Sequence, residues 1–283
     1  MTNAAPIRLG AVGYLNARPL VYGLERVRGF DIRYDIPAEC ARLLHAHDTD
    51  IGLIPSIEYL RGPQPYAIVP GAGVTSNGPV ASVAIYTRRN ARDIRTIAMD
   101  SSSRTSVALA TVLLRREFGV APEPVSMAPD LDAMLARADA ALIIGDVALF
   151  LNESTVDTHS IINKSAISNR QSAIAKHDLG ELWTRSTGLP FVYAVWTGWP
   201  GAATQADVAA LQQARDEGVA HVDEVAAAYY PDDPERQAVA ARYLRDNIRY
   251  RVGDEELEGL RTFYRYAAEL KLVSFDGQLR FFR

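Results

Sequence analysis

An α/β fold is predicted for this 283-residue chain by three observations. Short apolar runs alternate with helix-period segments through the first half, the strand–helix–strand order of sheets covered by helices. Polar, hydroxyl-rich clusters fall where those strands end, the place where open α/β sheets gather ligand groups. The back half changes character: one long apolar strand is followed by three helical runs, at about 205–229, 233–247 and 254–270.

Taken in order, IRLGAVGYL (7–15) is a buried strand that meets a polar tip at Asn16, Arg18 and Pro19. The run from Pro37 to His45 is a helix with proline in its first turn, where its missing N–H costs nothing. DIGLIP is a short buried strand ended by Pro55, and YAIVP is another. PVASVAIYT alternates with period two and is rich in β-formers. RTIAMD runs into SSSRTSVALATVLLRREFG, a helix capped by serine and closed by Gly119. A helix from about Asp130 to Ala138 precedes ADAALIIGD, a strand ending at Gly145 and Asp146. GLPFVYAVWTGW is the long strand, and Leu260, Phe263, Tyr264 and Ala267 share the apolar face of the last helix. The segment 152–177 is polar and repeats Ser-Ala-Ile at 165–167 and 172–174; it reads as a mobile surface insertion.

Composition narrows the function classes. At 48% hydrophobic and 23% charged the chain is an ordinary globular protein, long enough to bury a core without staples. A net charge of −4 argues against non-specific nucleic-acid or membrane binding. The lone cysteine, Cys40, sits in a helix-like run and reads as a buried thiol, so neither a disulfide nor a cysteine metal site is available. His45 and His47 are spaced i, i+2, which does not face one way on a helix, and no zinc site is expected. No apolar window reaches 18 residues and no secretory leader is read, so a cytoplasmic protein is expected.

Five clusters carry the candidate chemistry: Tyr14-Leu15-Asn16; Pro55-Ser56-Ile57-Glu58-Tyr59; 76–82 with Ser82; Asp100 followed by Ser101, Ser102, Ser103, Arg104, Thr105 and Ser106; and Gly145-Asp146. The fourth lies where a strand gives way to a helix. Unpaired N–H groups and a partial positive charge make that first turn an anion site. One capping serine, worth about 1 kcal/mol, does not account for five hydroxyls and an arginine. Asn16 is open between ligand group and turn residue. Glu58 is open between general base and solvated helix start, and Asp146 between holding a ligand hydroxyl and capping a turn. No Ser/His/Asp triad is readable.

In this order GYLNARPL, DIGLIPSIEY, SNGPVASV, IAMDSSSRTSVAL, LIIGDVAL and DLGELWTRSTGLPFVYAVW resemble the chorismate dehydratases of the futalosine route to menaquinone, over almost all of the chain outside the insertion. The resemblance implies a two-lobed, type II periplasmic-binding-protein-like fold with the ligand cleft between the lobes. It implies two crossing hinge strands, PVASVAIYT and FVYAVWT. Lobe one would be 1–86 plus 195–283, and lobe two 87–194.

It further implies dehydration of chorismate to 3-[(1-carboxyvinyl)oxy]benzoate, with no cofactor or metal, chorismate as the small-molecule partner, and no nucleic acid or membrane. Asn16, Glu58 and Asp146 would be the catalytic candidates. Tyr14, Ser56, Ser82, Ser101, Ser102, Arg104, Thr105, Ser106, Gly145 and Tyr193 would bind substrate. The base is Glu58, Asp146 or the substrate's own enolpyruvyl carboxylate. A related enzyme, 1,4-dihydroxy-6-naphthoate synthase, would carry a histidine where this chain has Ile144-Gly145-Asp146. A carboxylate solute-binding protein is the rival of another class, since fold alone does not fix function.

Overall fold

The computed structural model describes residues 5–100, 102–151, 156–157 and 174–283. Two sheets organise it. The first has the order β2-β1-β3-β11-β4, built from β1 (Ile7–Val12), β2 (Phe30–Asp35), β3 (Ile51–Pro55), β4 (Ala67–Ser76) and β11 (Phe191–Gly198). β1 runs parallel to β2 and β3, while β11 is antiparallel to β3 and β4. The second sheet has the order β7-β6-β8-β5-β10-β9. Its strands are β5 (Val83–Thr87), β6 (Thr96–Asp100), β7 (Glu123–Met127), β8 (Ala140–Ile144), β9 (Val156–Asp157) and β10 (Ile174–Asp178).

The fold is therefore two-lobed, one sheet to a lobe. The chain passes to the second sheet between β4 and β5 and returns between β10 and β11. Only the start of PVASVAIYT, residues 79–82, lies in a crossing: β5 belongs wholly to the second sheet, and β11 wholly to the first from Phe191 onward. The forward crossing is the 77–82 loop. Asp178 holds it, its carboxylate accepting Val80 N–H at 3.0 Å and Ala81 N–H at 2.7 Å. Ala81 stands at φ +63° there, a conformation that these two bonds secure.

Helices cover the sheets much as their periodicity predicts. α1 (Pro37–His45) has its proline in the first turn and buries Cys40, whose thiol donates to Ala11 O. α2 (Arg104–Glu117) is capped by Ser103, and Gly119 beyond it has φ +73°. α3 (Leu131–Arg137), α4 (Gly145–Leu149) and α5 (Leu179–Thr187) complete the second lobe. The back half folds as α6 (Gln205–Ala220), α7 (Val222–Tyr229), α8 (Pro234–Asp246) and α9 (Asp254–Glu269), so the run predicted at 205–229 breaks at His221. Leu260, Phe263, Tyr264 and Ala267 are buried together, and Trp183 packs edge-on against Phe191 and Phe263.

Three further expectations are corrected. The first strand stops at Val12, because Leu15–Val21 winds into a 3-10 helix with Pro19 inside it. Phe30–Asp35, with only half-buried faces, was not predicted as a strand. Residues 174–177, counted within the insertion, belong to β10, which pairs with β5 through Asp178↔Ala84 to Ala175↔Thr87. The remainder of that segment lies outside the described residues, apart from β9, which pairs with β10 at Ile174↔Val156. Among the described residues no helix is long and apolar enough to cross a membrane.

Candidate functional site

A cavity lies between the two sheets, lined by residues from both. Its walls are mostly apolar: Val12, Leu53, Val74, Val80, Val83 and Ile144 come from strands or strand ends of both lobes. Polar side chains enter at a few points, namely Tyr14, Asn16, Ser103, Ser106 and Tyr193. None of the described lining residues is an acid, a base or a histidine.

Each polar group is delivered by a definable local structure. Tyr14 comes from the passage between β1 and the 3-10 helix that follows it, and Asn16 from the first turn of that helix. The Tyr14 hydroxyl donates to Ser102 Oγ at 3.1 Å across the lobes, and burial pushes its phenol up. Ser103 and Ser106 form the first turn of α2. Ser103 Oγ caps Ser106 N–H, and the two hydroxyls lie 3.1 Å apart. This is the anion-favouring helix start expected from the serine cluster. Tyr193, from β11, is hydrogen-bonded to Ser76 Oγ at 3.0 Å, and burial raises its phenol well above the usual range. Gly145 takes φ +66°, and its N–H donates to Ser82 O. A Cβ there would stand 3.2 Å from the Tyr14 ring, so glycine admits the tyrosine.

Of the residues expected to act on substrate, Tyr14, Asn16, Ser106, Gly145 and Tyr193 line this cavity. The others are placed differently. Ser82 is buried, its Oγ 2.7 Å from the Tyr243 hydroxyl. Burial raises the Tyr243 phenol, while hydrogen bonds with Ser82 and Asn16 act the other way, so these three residues form one polar group. Ser102 receives Tyr14 and caps back onto Asp100, its N–H donating to Asp100 Oδ1. Ser101 lies outside the described residues.

Ser56, Glu58, Arg104 and Thr105 do not reach the cavity; they join the 3-10 helix Ser56–Leu60 to α2. Ser56 Oγ donates to Val192 O at 2.8 Å, and Thr105 Oγ1 accepts Ile57 N–H at 3.1 Å. Glu58 is only 1% exposed and is shared by Arg61 at 2.8 Å, Arg104 at 2.8 Å and His45 at 3.1 Å. Burial alone would raise its pKa, but hydrogen bonds from His45 and Arg61 and the charge of Arg104 hold it at about 2. A carboxylate held this low is a poor proton acceptor, which weighs against Glu58 as the base. Arg104 is spent on the same carboxylate. Asp146 also stands outside the lining, bonded to the Tyr229 hydroxyl and the Leu15 N–H, with its pKa raised by burial.

Sequence reasoning left Ser103 out of the substrate contacts, together with Tyr243 and Tyr229. Ser103 both caps α2 and lines the cavity. The tyrosines carried no local signal, since helices far along the chain bring them in: Tyr243 meets a partner 161 residues away.

The architecture, a cavity between two sheet-based lobes crossed twice by the chain, is that of the periplasmic-binding-protein fold. A protein of Archaeoglobus fulgidus superposes with a TM-score of 0.72 at 16% identity, covering 96% of this chain and 100% of that one. A Candida albicans gene product described as having the generic periplasmic binding protein fold superposes at 0.64 with 12% identity, covering 97% and 93%. More narrowly, residues 7–269 match the model of the menaquinone biosynthesis family, and the chain belongs to that family. A chorismate dehydratase from Thermus thermophilus is 32% identical over 265 residues, 91% of this chain and 94% of that protein.

Proposed function

We propose that this protein is a chorismate dehydratase, a hydro-lyase that converts chorismate to 3-[(1-carboxyvinyl)oxy]benzoate on the way to menaquinone. The observation that carries the reading is the 32% identity to a chorismate dehydratase across nearly the whole of both chains. The site agrees with it. A ring substrate with two carboxylates and one hydroxyl needs apolar walls, a few neutral donors and a helix N-terminus, which is what the cavity offers.

In this reading the first turn of α2, with Ser103 and Ser106, holds one carboxylate by charge-assisted hydrogen bonds. Asn16 polarises or orients an oxygen of the substrate, helped by the Tyr243–Ser82 pair behind it. Tyr14 and Tyr193 flank the ring. The reaction takes the C3 proton and expels the C4 hydroxyl as water, leaving an aromatic ring. With Glu58 locked in its ion cluster and Asp146 outside the lining, the substrate's own enolpyruvyl carboxylate takes the C3 proton and passes it to the departing C4 hydroxyl, which leaves as water. The protein then supplies orientation and hydrogen bonds rather than a base. We place the reaction in the cytoplasm, with chorismate as partner. Lobe one is assigned to both chain ends, and lobe two to the segment between the crossings at 77–82 and 188–190.

The test is incubation with chorismate, following loss of the cyclohexadiene absorbance and weighing the product. Loss of one water with aromatisation is the expected result. Tight binding with chorismate recovered intact would make the protein a receptor instead.

A further inference from the structure

Residues 13–15 deliver Tyr14 to the cavity and lead directly into Asn16. They are gripped from outside at both ends. The Tyr229 hydroxyl, at the end of α7, lies 3.1 Å from Gly13 O and 2.6 Å from Asp146 Oδ2. The other oxygen of Asp146 accepts Leu15 N–H at 3.4 Å. Asp146 belongs to α4, which continues from β8 of the second sheet, whereas residues 13–15 continue from β1 of the first. Neither Asp146 nor Tyr229 lines the cavity. The guanidinium of Arg18, two residues past Asn16, lies over the Tyr229 ring at 5.3 Å and over Tyr34 at 4.3 Å. On the inner side Gly145, next to Asp146, packs against the Tyr14 ring.

We infer that Asp146 and Tyr229 form an inter-lobe clasp that closes the cleft and sets Tyr14 and Asn16 against bound substrate. Both are positioning residues that act through the 13–16 backbone. The phenol–carboxylate bond is short and charge-assisted, about twice as strong as a neutral one. Asp146 thus meets the other lobe at two points, the Leu15 N–H and the Tyr229 hydroxyl, so opening the cleft must break both bonds. A shift of about 1 Å in a positioned group costs up to about a hundredfold in rate, so a clasp remote from the reacting atoms has a kinetic signature. The rate side of this inference rests on the dehydratase reading; its geometric side does not.

The experiment compares Asp146→Asn, Tyr229→Phe and the double variant with the parent. It measures kcat and KM for chorismate, and separately the amide exchange of Leu15 without substrate. A clasp predicts that each single change lowers kcat about tenfold and raises KM severalfold. The double change does no more than either alone, and Leu15 exchange quickens in all three. Single effects that multiply in the double variant would overturn it, as would a Tyr229→Phe enzyme with parent kinetics. An inactive Asp146→Asn beside a normal Tyr229→Phe would make Asp146 the base and likewise refute the clasp. If the parent does not dehydrate chorismate, the functional reading fails by itself. Leu15 exchange then decides the clasp: quickened exchange upholds it, and parent-like protection ends it.

Discussion

Replacing Glu58 by glutamine separates the two roles this residue was open to. The carboxyl falls from a free value of 4.5 to about 2 in the folded chain, through His45, Arg61 and Arg104 against the opposing effect of burial. A depressed folded pKa contributes stability that is fully present above about pH 4.5 and is lost as the pH falls toward 2. The shift corresponds to about 3 kcal/mol at neutral pH, and about half of it remains at pH 3. Breaking a buried ion pair typically costs about 3–5 kcal/mol. Here Arg61 and Arg104 keep 35% and 42% of their side chains exposed and can turn to water, which places the loss at the low end. Urea unfolding at pH 7 should therefore show Glu58→Gln less stable by about 2–3 kcal/mol. The gap to the parent should narrow steadily between pH 5 and pH 3. Turnover per folded molecule should stay close to the parent's. A glutamine variant with parent stability and no turnover would refute this reasoning and restore Glu58 as a reacting group.

The other substitutions divide by whether they touch the cavity. Asn16→Ala should cut turnover by about a hundredfold or more, the scale of one lost oriented donor, while lowering stability by only about 0.5–1.5 kcal/mol through its lost bond with Tyr243; steady-state rates and a thermal midpoint check both. Gly145→Ala forces a side chain into φ +66° and against the Tyr14 ring. It should cost about 1–2 kcal/mol and weaken chorismate binding, read by calorimetry. Thr105→Val leaves the Ile57 N–H without its acceptor. It should lower stability by about 1–3 kcal/mol in denaturant, with rate much less affected.

Much of the frame was legible because periodicity and punctuation are local. Pro37 and His45 bound α1, and Ser103 and Gly119 bracket α2, as their chemistry requires. Asn16 sits on the cavity wall as its motif suggested. What was not legible was direction. Along a helix start, neighbouring residues point to different sides, so Ser106 faces the cavity while Arg104 and Thr105 face the 3-10 helix of the other lobe. A run of hydroxyls announces a site without saying which of them enter it. Glu58 is the sharper case. Its partners His45, Arg61 and Arg104 come from three segments, and only their convergence holds its carboxyl below the usual range.

The neutrality of the cavity wall bears on the proposed chemistry. A cationic side chain beside the enolpyruvyl carboxylate would bind it more tightly but would also lower its pKa, and with it the capacity to take the C3 proton. Hydroxyl, phenol and amide donors orient a carboxylate with less loss of basicity, and apolar walls such as Leu53, Val74 and Val83 disfavour its charge and raise that basicity further. Burying two carboxylates without a paired cation is costly. The first turn of α2 offsets part of that cost with N–H groups and Ser103 and Ser106 hydroxyls already held in place. Under the proposed mechanism a guanidinium in the cavity would hold the substrate and silence the base it carries; Arg104 of the serine cluster is paired with Glu58 outside the lining instead.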